Sequence, residues 1–157
     1  EHVFALRQAL ELYDSYQARI EACDQEIQST LASLQNDEIA IDTLPAARHK
    51  RQQSHEPQFN VREALLRVLG VDLSHIDGFS AYTALKLVGE CGMDMSRWPT
   101  EKHFTSWLTL APGNKISGGK VLSTKTRRSA NRAAAIFRLS AMNVGQTHTA
   151  FGAFYRR

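Results

Sequence analysis

The sequence predicts an all-α protein in which one long helix is followed by a smaller helical domain. Residues 2–36 contain neither Gly nor Pro, and their apolar residues recur at alternating spacings of four and three. Beyond residue 60, shorter helical patterns are separated by Gly and Pro turns. No strand pattern longer than four residues interrupts them. We therefore divide the chain into a coiled-coil helix with its linker, residues 1–60, and a helical domain, residues 61–157.

The long first helix carries a heptad seam, the pattern of a coiled coil. One core position is mostly apolar, whereas the other is polar at Gln17 and Asp24. Buried polar seam residues lower stability but can fix register and partner number. Packing of the helix on its own domain is the alternative, and we adopt self-association into a homo-oligomer. The two core positions are occupied by Leu6, Tyr13, Ile20, Ile27 and Leu34, and by Leu10, Gln17, Asp24 and Leu31.

Residues 43–60 are predicted to form a linker or a turn between helices. Pro45, Pro57 and a polar run between them break the helical pattern. His49 and His55 have no Cys companion at metal-site spacing, so we interpret them as solvated loop residues. After the linker, helical segments are predicted at about residues 61–69, 71–76, 81–91, 100–110, 129–144 and 147–155.

Charge is segregated along the chain. Residues 1–60 hold 5 Lys and Arg against 10 Asp and Glu, and residues 61–100 hold 4 against 5. Residues 101–157 hold 10 against a single acid, Glu101. This asymmetry predicts a polyanionic partner for the C-terminal third. Nucleic acid is favoured over a membrane, because no stretch approaches the roughly 20 apolar residues that a membrane span needs.

The remaining bulk features indicate a cytoplasmic protein. Cys23 and Cys91 show no pairing pattern and are interpreted as reduced thiols. No signal peptide is visible. The sequence begins at Glu1 without a Met, so we expect a piece of a longer protein.

Ser117-Gly118-Gly119-Lys120 is the segment that most directly indicates chemistry. Glycine has no Cβ, so a backbone can approach the Ser117 hydroxyl closely. We expect this hydroxyl to be solvent-accessible on a mobile loop, where surrounding cations suit a phosphodiester substrate. A tight surface turn before a helix is the plainer interpretation of the same residues. The cations that follow are Lys120, Lys125, Arg127, Arg128 and Arg132.

A second segment, residues 76–84, resembles a helix-hairpin-helix, in which a glycine turn presents backbone N–H groups to a DNA phosphate. Gly78 and Ser80 are the candidate phosphate contacts. The segment departs from the usual pattern, because Asp77 stands where a proline is common and Ser80 replaces the second glycine. Asp77 would repel phosphate, so a purely structural turn remains the alternative.

Taken together, the spaced motifs resemble the C-terminal transposase domain of the insertion-sequence 110 family. The resemblance covers about residues 65–157, whereas the first sixty residues fit the family's coiled-coil insertion by position and character only. The motifs that carry it are Leu110-Ala111-Pro112, Ser117-Gly118-Gly119-Lys120, the basic stretch that ends in Asn131-Arg132, and Phe151-Gly152-Ala153-Phe154-Tyr155-Arg156-Arg157.

The resemblance implies a DNA recombinase in which Ser117 attacks DNA covalently. It also implies a guide RNA, assembly through the coiled coil, and a composite site that is completed by a RuvC-like domain whose four carboxylates hold magnesium. This chain is expected to lack that domain, as an excised central-to-C-terminal piece or a truncated copy. We expect it to bind no metal or other cofactor itself and to be inactive alone.

Two rival functions use the same features. A non-catalytic nucleic-acid-binding module with a dimerising helix would show the same charge segregation, and a structural helical adaptor would show the same helices. A serine hydroxyl must be activated by a base or metal, and no His lies within six residues of Ser117. Lys120, Arg127 and Arg128 would offset phosphate charge in the transition state or simply bind the backbone. Ser123 and Ser129 are the next candidate nucleophiles.

Overall fold

The computed structural model describes residues 2–36 and 56–157, and its contacts divide the chain into two compact units. The first unit is Glu1–Asp72 and the second is Leu73–Arg157. The described part is mostly helical, as the sequence predicts, with the addition of one small hairpin. The predicted division after residue 60 stays a prediction.

Some sequence expectations concern residues that are not described. His49, His55 and most of the predicted linker at residues 43–60 lie outside the described residues. Within the described ranges, none of the helices combines the length and the apolar character that crossing a membrane requires.

The first helix, α1, is His2–Ser33. At about 1.5 Å per residue it extends for roughly 48 Å. Nearly all of its side chains are exposed, and Leu31 is its one buried residue, at 6% exposure. After Ser33 the chain turns, and the Asn36 backbone N–H donates to the Arg67 carbonyl at 3.2 Å. The helix therefore ends earlier than the heptad pattern predicts, because a tertiary hydrogen bond draws the chain towards the next element.

The second helix, α2, is Val61–Leu69 and packs against α1. The Asn60 side chain caps it by accepting from the Glu63 N–H at 3.2 Å. Gly70 ends it in the left-handed conformation, with φ of 71°, as predicted. On α1, the Asp24 carboxylate accepts a hydrogen bond from the Gln58 backbone N–H at 2.9 Å. Asp24, a polar residue of the heptad seam, therefore forms a hydrogen bond within the first unit.

The second unit contains the remaining helices and the hairpin. A short 3-10 helix, Leu73–His75, leads to a turn in which the Phe79 N–H donates to the Ile76 carbonyl at 3.0 Å. Helix α5 lies against both α3 and α6. The further elements are α3 (Ala81–Cys91), α4 (Glu101–Trp107), β1 (Lys115–Ser117), β2 (Lys120–Ser123), α5 (Arg132–Gly145) and α6 (Ala150–Tyr155).

The core of the second unit forms where α5 meets α3 and the end of α4. Ala133 and Ala134 on α5 are 0% exposed, so nothing but a methyl group separates the helix from its neighbours there. Edge-to-face rings fill the space around them, with Phe137 at 5.7 Å from Phe79 and 5.9 Å from Phe104 between ring centroids. The cluster also includes Leu87, Cys91, Trp98, Leu108 and Leu110.

Gly78 allows the turn before α3 to approach α5 closely. Its φ is 84°, and a Cβ at this position would lie 2.5 Å from Val144 Cγ2 and 2.6 Å from the Ser140 carbonyl oxygen. Gly119 has a comparable φ of 76°, but a Cβ there would meet nothing within 4 Å. The two glycines therefore share a positive φ, which glycine adopts without strain, and differ in packing.

We expect Gly78→Ala to lower the melting temperature considerably more than Gly119→Ala. Both variants force a Cβ into the left-handed region, at about 1–2 kcal/mol, and only Gly78→Ala adds overpacking, typically about 1–3 kcal/mol. Thermal unfolding followed by circular dichroism measures the difference. Equal melting temperatures in the two variants would show that the turn does not pack on α5 as described.

Candidate nucleic-acid interface

The segment Ser117-Gly118-Gly119-Lys120 forms the tip of a two-stranded antiparallel hairpin. Gly118 and Gly119 have φ values of 53° and 76°, and Ser117 pairs directly with Lys120. Positive φ at both central residues defines a two-residue turn whose twist matches that of the flanking strands. The prediction of a loop at Ser117 was therefore wrong, since the paired glycines close a hairpin and Ser117 is the last residue of β1.

The hairpin has one cationic face and one apolar face. Directly opposed residues share a face, and successive residues alternate. Ser117 pairs with Lys120 and Lys115 pairs with Ser123, so these side chains lie on one face. Ile116 pairs with Val121 on the other face.

The hairpin pairing extends beyond the two strands towards the body of the unit. A register shift between Lys115 and Ile116 makes Leu122 the extra residue of a bulge. Past the bulge, the Gly113 N–H donates to the Lys125 carbonyl at 3.1 Å. Lys125 lies two residues beyond Ser123, outside β2, so strand alternation does not assign its side chain to a face. Ser117 thus shares its face with Lys115 and Lys120, and Lys125 follows shortly after β2.

The Ser117 side chain is exposed, as the sequence predicts. Within residues 2–36 and 56–157, its hydroxyl has no hydrogen-bond partner. Cβ atoms of directly opposed residues in an antiparallel pair lie about 4.5–5.5 Å apart, so the Lys120 side chain starts immediately beside it. A phosphate that contacts the Lys120 ammonium can therefore also reach the serine oxygen.

The two other candidate serines are engaged in local backbone contacts. The Ser123 hydroxyl oxygen accepts from the Lys125 N–H at 3.3 Å, and the Ser129 oxygen accepts from the Asn131 N–H at 3.0 Å. Such contacts stabilise turns. Of these three serines, Ser117 is the one whose hydroxyl forms no hydrogen bond with a described residue.

The basic stretch between β2 and α5 contains two exposed arginines and one paired arginine. Arg127 and Arg128 are exposed, and neither forms an ion pair with a described residue. Arg132 Nε lies 2.9 Å from Glu90 Oε1 on α3, although the Arg132 side chain is 82% exposed. The Glu90 side chain is only 26% exposed, so Arg132 is accessible to a phosphate, but contact with a phosphate competes with this ion pair.

The helix-hairpin-helix-like turn has structural roles for both of its predicted phosphate contacts. Gly78 packs against α5, and the Ser80 side chain caps α3 by accepting from the Thr83 N–H at 3.1 Å. These roles explain why Gly and Ser stand at these positions. Phosphate binding by their backbone N–H groups stays a prediction.

Sequence reasoning missed Lys115 as a member of the site. Lys115 precedes Ser117, and without a predicted strand nothing in the sequence brings it to the side of Lys120. The signal that would have found it is Gly-Gly flanked by short alternating segments, since Lys115-Ile116-Ser117 and Lys120-Val121 mirror each other about the two glycines as hairpin strands do.

Other titratable groups of the unit do not offer a competing nucleophile or metal centre. Burial raises the pKa of the Cys91 thiol, and the charge of neighbouring Glu90 raises it further, so the thiolate is disfavoured. The described residues contain no group of three or more His, Cys, Asp and Glu side chains that could hold a metal ion.

An exposed hydroxyl beside several cations that have no ion-pair partner among the described residues is consistent with the nucleic-acid partner that the charge distribution predicts. The family model described as "Transposase IS116/IS110/IS902 family" matches residues 57–156. The chain therefore belongs to this family of transposases, and membership implies that DNA is a partner. No curated protein and no solved structure matched the chain.

We expect the three hairpin lysines to contribute to duplex binding through phosphate contacts. With about 4–6 phosphates contacted in all, log affinity should fall against log salt with a slope of roughly −4 to −5. The triple variant Lys115→Ala, Lys120→Ala, Lys125→Ala should reduce the magnitude of this slope by about 2–3. Fluorescence anisotropy with a labelled duplex between about 50 and 200 mM salt measures the slope.

Arg67→Ala is the control for that measurement, because Arg67 lies on α2 and already pairs with Glu63 at 2.8 Å. It should leave the slope unchanged. If the triple lysine variant has the wild-type slope, the hairpin is not part of the DNA interface.

Proposed function

We propose that the chain is the part of a DNA transposase that carries its covalent nucleophile, Ser117. The single observation that supports this is the placement of an exposed serine hydroxyl, without a hydrogen-bond partner among the described residues, at a hairpin tip and on the same face as Lys115 and Lys120. A hairpin that projects from the core can enter a DNA groove, since a two-stranded ribbon fits the major groove.

The proposed step is a phosphoryl transfer to serine. The Ser117 oxygen forms a bond to phosphorus, the bond from phosphorus to one sugar oxygen breaks, and that oxygen leaves with a proton. The hydroxyl proton passes to a general base. The product keeps a phosphodiester bond, now to serine, so a new strand end can reverse the step and rejoin DNA. Lysines beside the phosphate stabilise the charge that develops on its oxygens.

The general base is proposed to come from a second domain in a composite site. Serine requires such activation, and no His lies within six residues of Ser117. A RuvC-like domain with magnesium, which the family resemblance implies, would supply it. Because the described residues offer no group of three metal-ligating side chains, we assign no magnesium site to them and derive no step through the ion. We expect the chain alone to bind DNA without cutting it.

We further propose that the first half of α1 mediates assembly. Leu6, Leu10, Tyr13 and Ile20 are at least half exposed, whereas Leu31 is buried within the first unit. The open part of the seam is therefore its N-terminal part. An exposed row of large apolar side chains on one long helix is suited to a second copy of the same helix. A guide RNA is proposed as a further partner on the resemblance alone.

Ser117→Ala in the complete transposase should abolish strand exchange, by about 10³-fold or more, because the nucleophile is lost. Duplex binding should be unchanged, since the lysines remain. Wild-type enzyme trapped by denaturation should carry a nucleotide on the peptide that contains Ser117, which mass spectrometry detects. Ser123→Ala and Ser129→Ala are the matched controls and should retain exchange.

If Ser117→Ala retains exchange, or if the adduct maps to another residue, Ser117 is not the nucleophile. If no adduct forms while salt-dependent DNA binding persists, the chain is a non-catalytic nucleic-acid-binding module.

Leu10→Glu should weaken self-association of the chain, whereas Ser15→Glu should not. Both introduce the same charge on α1, but only Leu10 lies on the apolar seam. A buried carboxylate in a helix interface is strongly unfavourable. Light scattering at high micromolar concentration compares the masses, and a wild-type chain that is monomeric there would contradict assembly through α1.

A further inference from the structure

Helix α4 ends in a motif whose left-handed position is occupied by threonine. The Thr109 N–H donates to the Ser106 carbonyl at 2.9 Å, and the Leu110 N–H donates to the Thr105 carbonyl at 3.0 Å. These two bonds define a Schellman motif, in which glycine is the usual residue at the position of Thr109. Thr109 has φ of 58°, the one positive value at a non-glycine residue in the described chain.

This conformation is strained for a threonine. A Cβ is crowded by the backbone in the left-handed region, and a β-branched residue there is a genuine outlier. Such strain persists only where the surroundings impose it. Here the two hydrogen bonds of the motif impose it, together with Leu110, which packs against the core of the second unit.

A second and independent anomaly falls on the same residue. Thr109 Oγ1 is the one buried side-chain nitrogen or oxygen atom within residues 2–36 and 56–157 that has no hydrogen-bond partner. Buried polar groups are nearly always paired, and an unpaired one lowers stability. The observed conformation of Thr109 is thus destabilised through its backbone and through its side chain.

Thr109 is also the joint from which the hairpin ribbon departs. Three residues later the ribbon begins, where Pro112 bridges to Thr126 and the Gly113 N–H donates to the Lys125 carbonyl. A rotation at Thr109 that also releases Leu110 from the core would change the direction of Ser117 and its lysines relative to the core. The strands of the hairpin bury no side chain that would oppose this movement, so Leu110 is the side chain that resists it.

We infer that Thr109 is a strained hinge that holds the hairpin in a resting position and yields when the hairpin engages DNA. Leaving the left-handed region relieves the backbone strain and opens a route for Oγ1 to water or to a carbonyl. Contact of the lysines with DNA supplies the differential affinity that favours the released arrangement. The inference rests on the proposal that the hairpin contacts DNA.

The test compares Thr109→Gly and Thr109→Val in the complete 157-residue chain. Glycine removes both anomalies, so it should raise the melting temperature by about 2–4 °C. It should also slow hydrogen exchange of the Leu110 amide and weaken duplex binding, each by about tenfold, because the resting arrangement becomes harder to leave. Valine removes only the unpaired hydroxyl and should give smaller shifts in the same directions.

Gly70→Thr is the matched control, because it places threonine in the left-handed cap of α2, which belongs to the first unit, whereas the hairpin belongs to the second. It should lower the melting temperature and leave duplex binding unchanged.

Two results would overturn the hinge. A melting temperature lowered by Thr109→Gly would show that Thr109 is not strained. Duplex affinity equal to wild type in Thr109→Gly, while the triple lysine variant binds more weakly, would show that the strain is unconnected with DNA. If the triple lysine variant binds DNA like wild type, the proposal that the hairpin contacts DNA is wrong, and the hinge proposal, which rests on it, is wrong too.

Discussion

The second unit depends on the close packing of α5 against its neighbours. Ala133 and Ala134 are fully buried, and Gly78 brings the turn before α3 against the other end of the same helix. Interiors of this density leave no room for an added methyl group without displacement of backbone. Because α5 is fixed in this way, Asn131, which caps it by accepting from the Ala134 N–H at 3.1 Å, has a fixed place. The basic stretch and the hairpin therefore depart from a rigid base.

The hairpin, unlike α5, is not held in place by close packing. Its strands bury no side chain, and an isolated two-stranded hairpin is marginally stable in water. Its shape depends on local rules alone, namely two glycines that accept positive φ and the pairing between Ser117 and Lys120. Weakly held elements are those that adapt to ligands. The nucleophile that we propose is thus placed on an adaptable element, whereas the arginines that follow lie next to the rigid helix.

The features that the sequence predicted correctly are those that local physics determines. Gly70 and Gly92 end α2 and α3 as predicted, and the apolar periodicity located every described helix. Three features were not predicted from the sequence, because they depend on short strands, on tertiary contacts or on an unusual backbone conformation. The hairpin strands are shorter than the patterns considered, Asp24 is used by a tertiary hydrogen bond that heptad spacing does not encode, and Thr109 adopts a conformation that only glycine signals in a sequence.

The distribution of acids explains why the hairpin lysines remain available to DNA. In the first unit, Asp72 pairs with Arg62 at 2.6 Å, with both side chains largely buried, and Glu63 pairs with Arg67. In the second unit, Glu90 pairs with Arg132, and Glu101 is the sole acid after residue 100. A cation that is already paired must lose its partner before it binds phosphate, and that loss reduces the net gain. The lysines have no such partner among the described residues. The free energy that counterion release supplies when they bind phosphate is therefore not reduced by the loss of an ion pair.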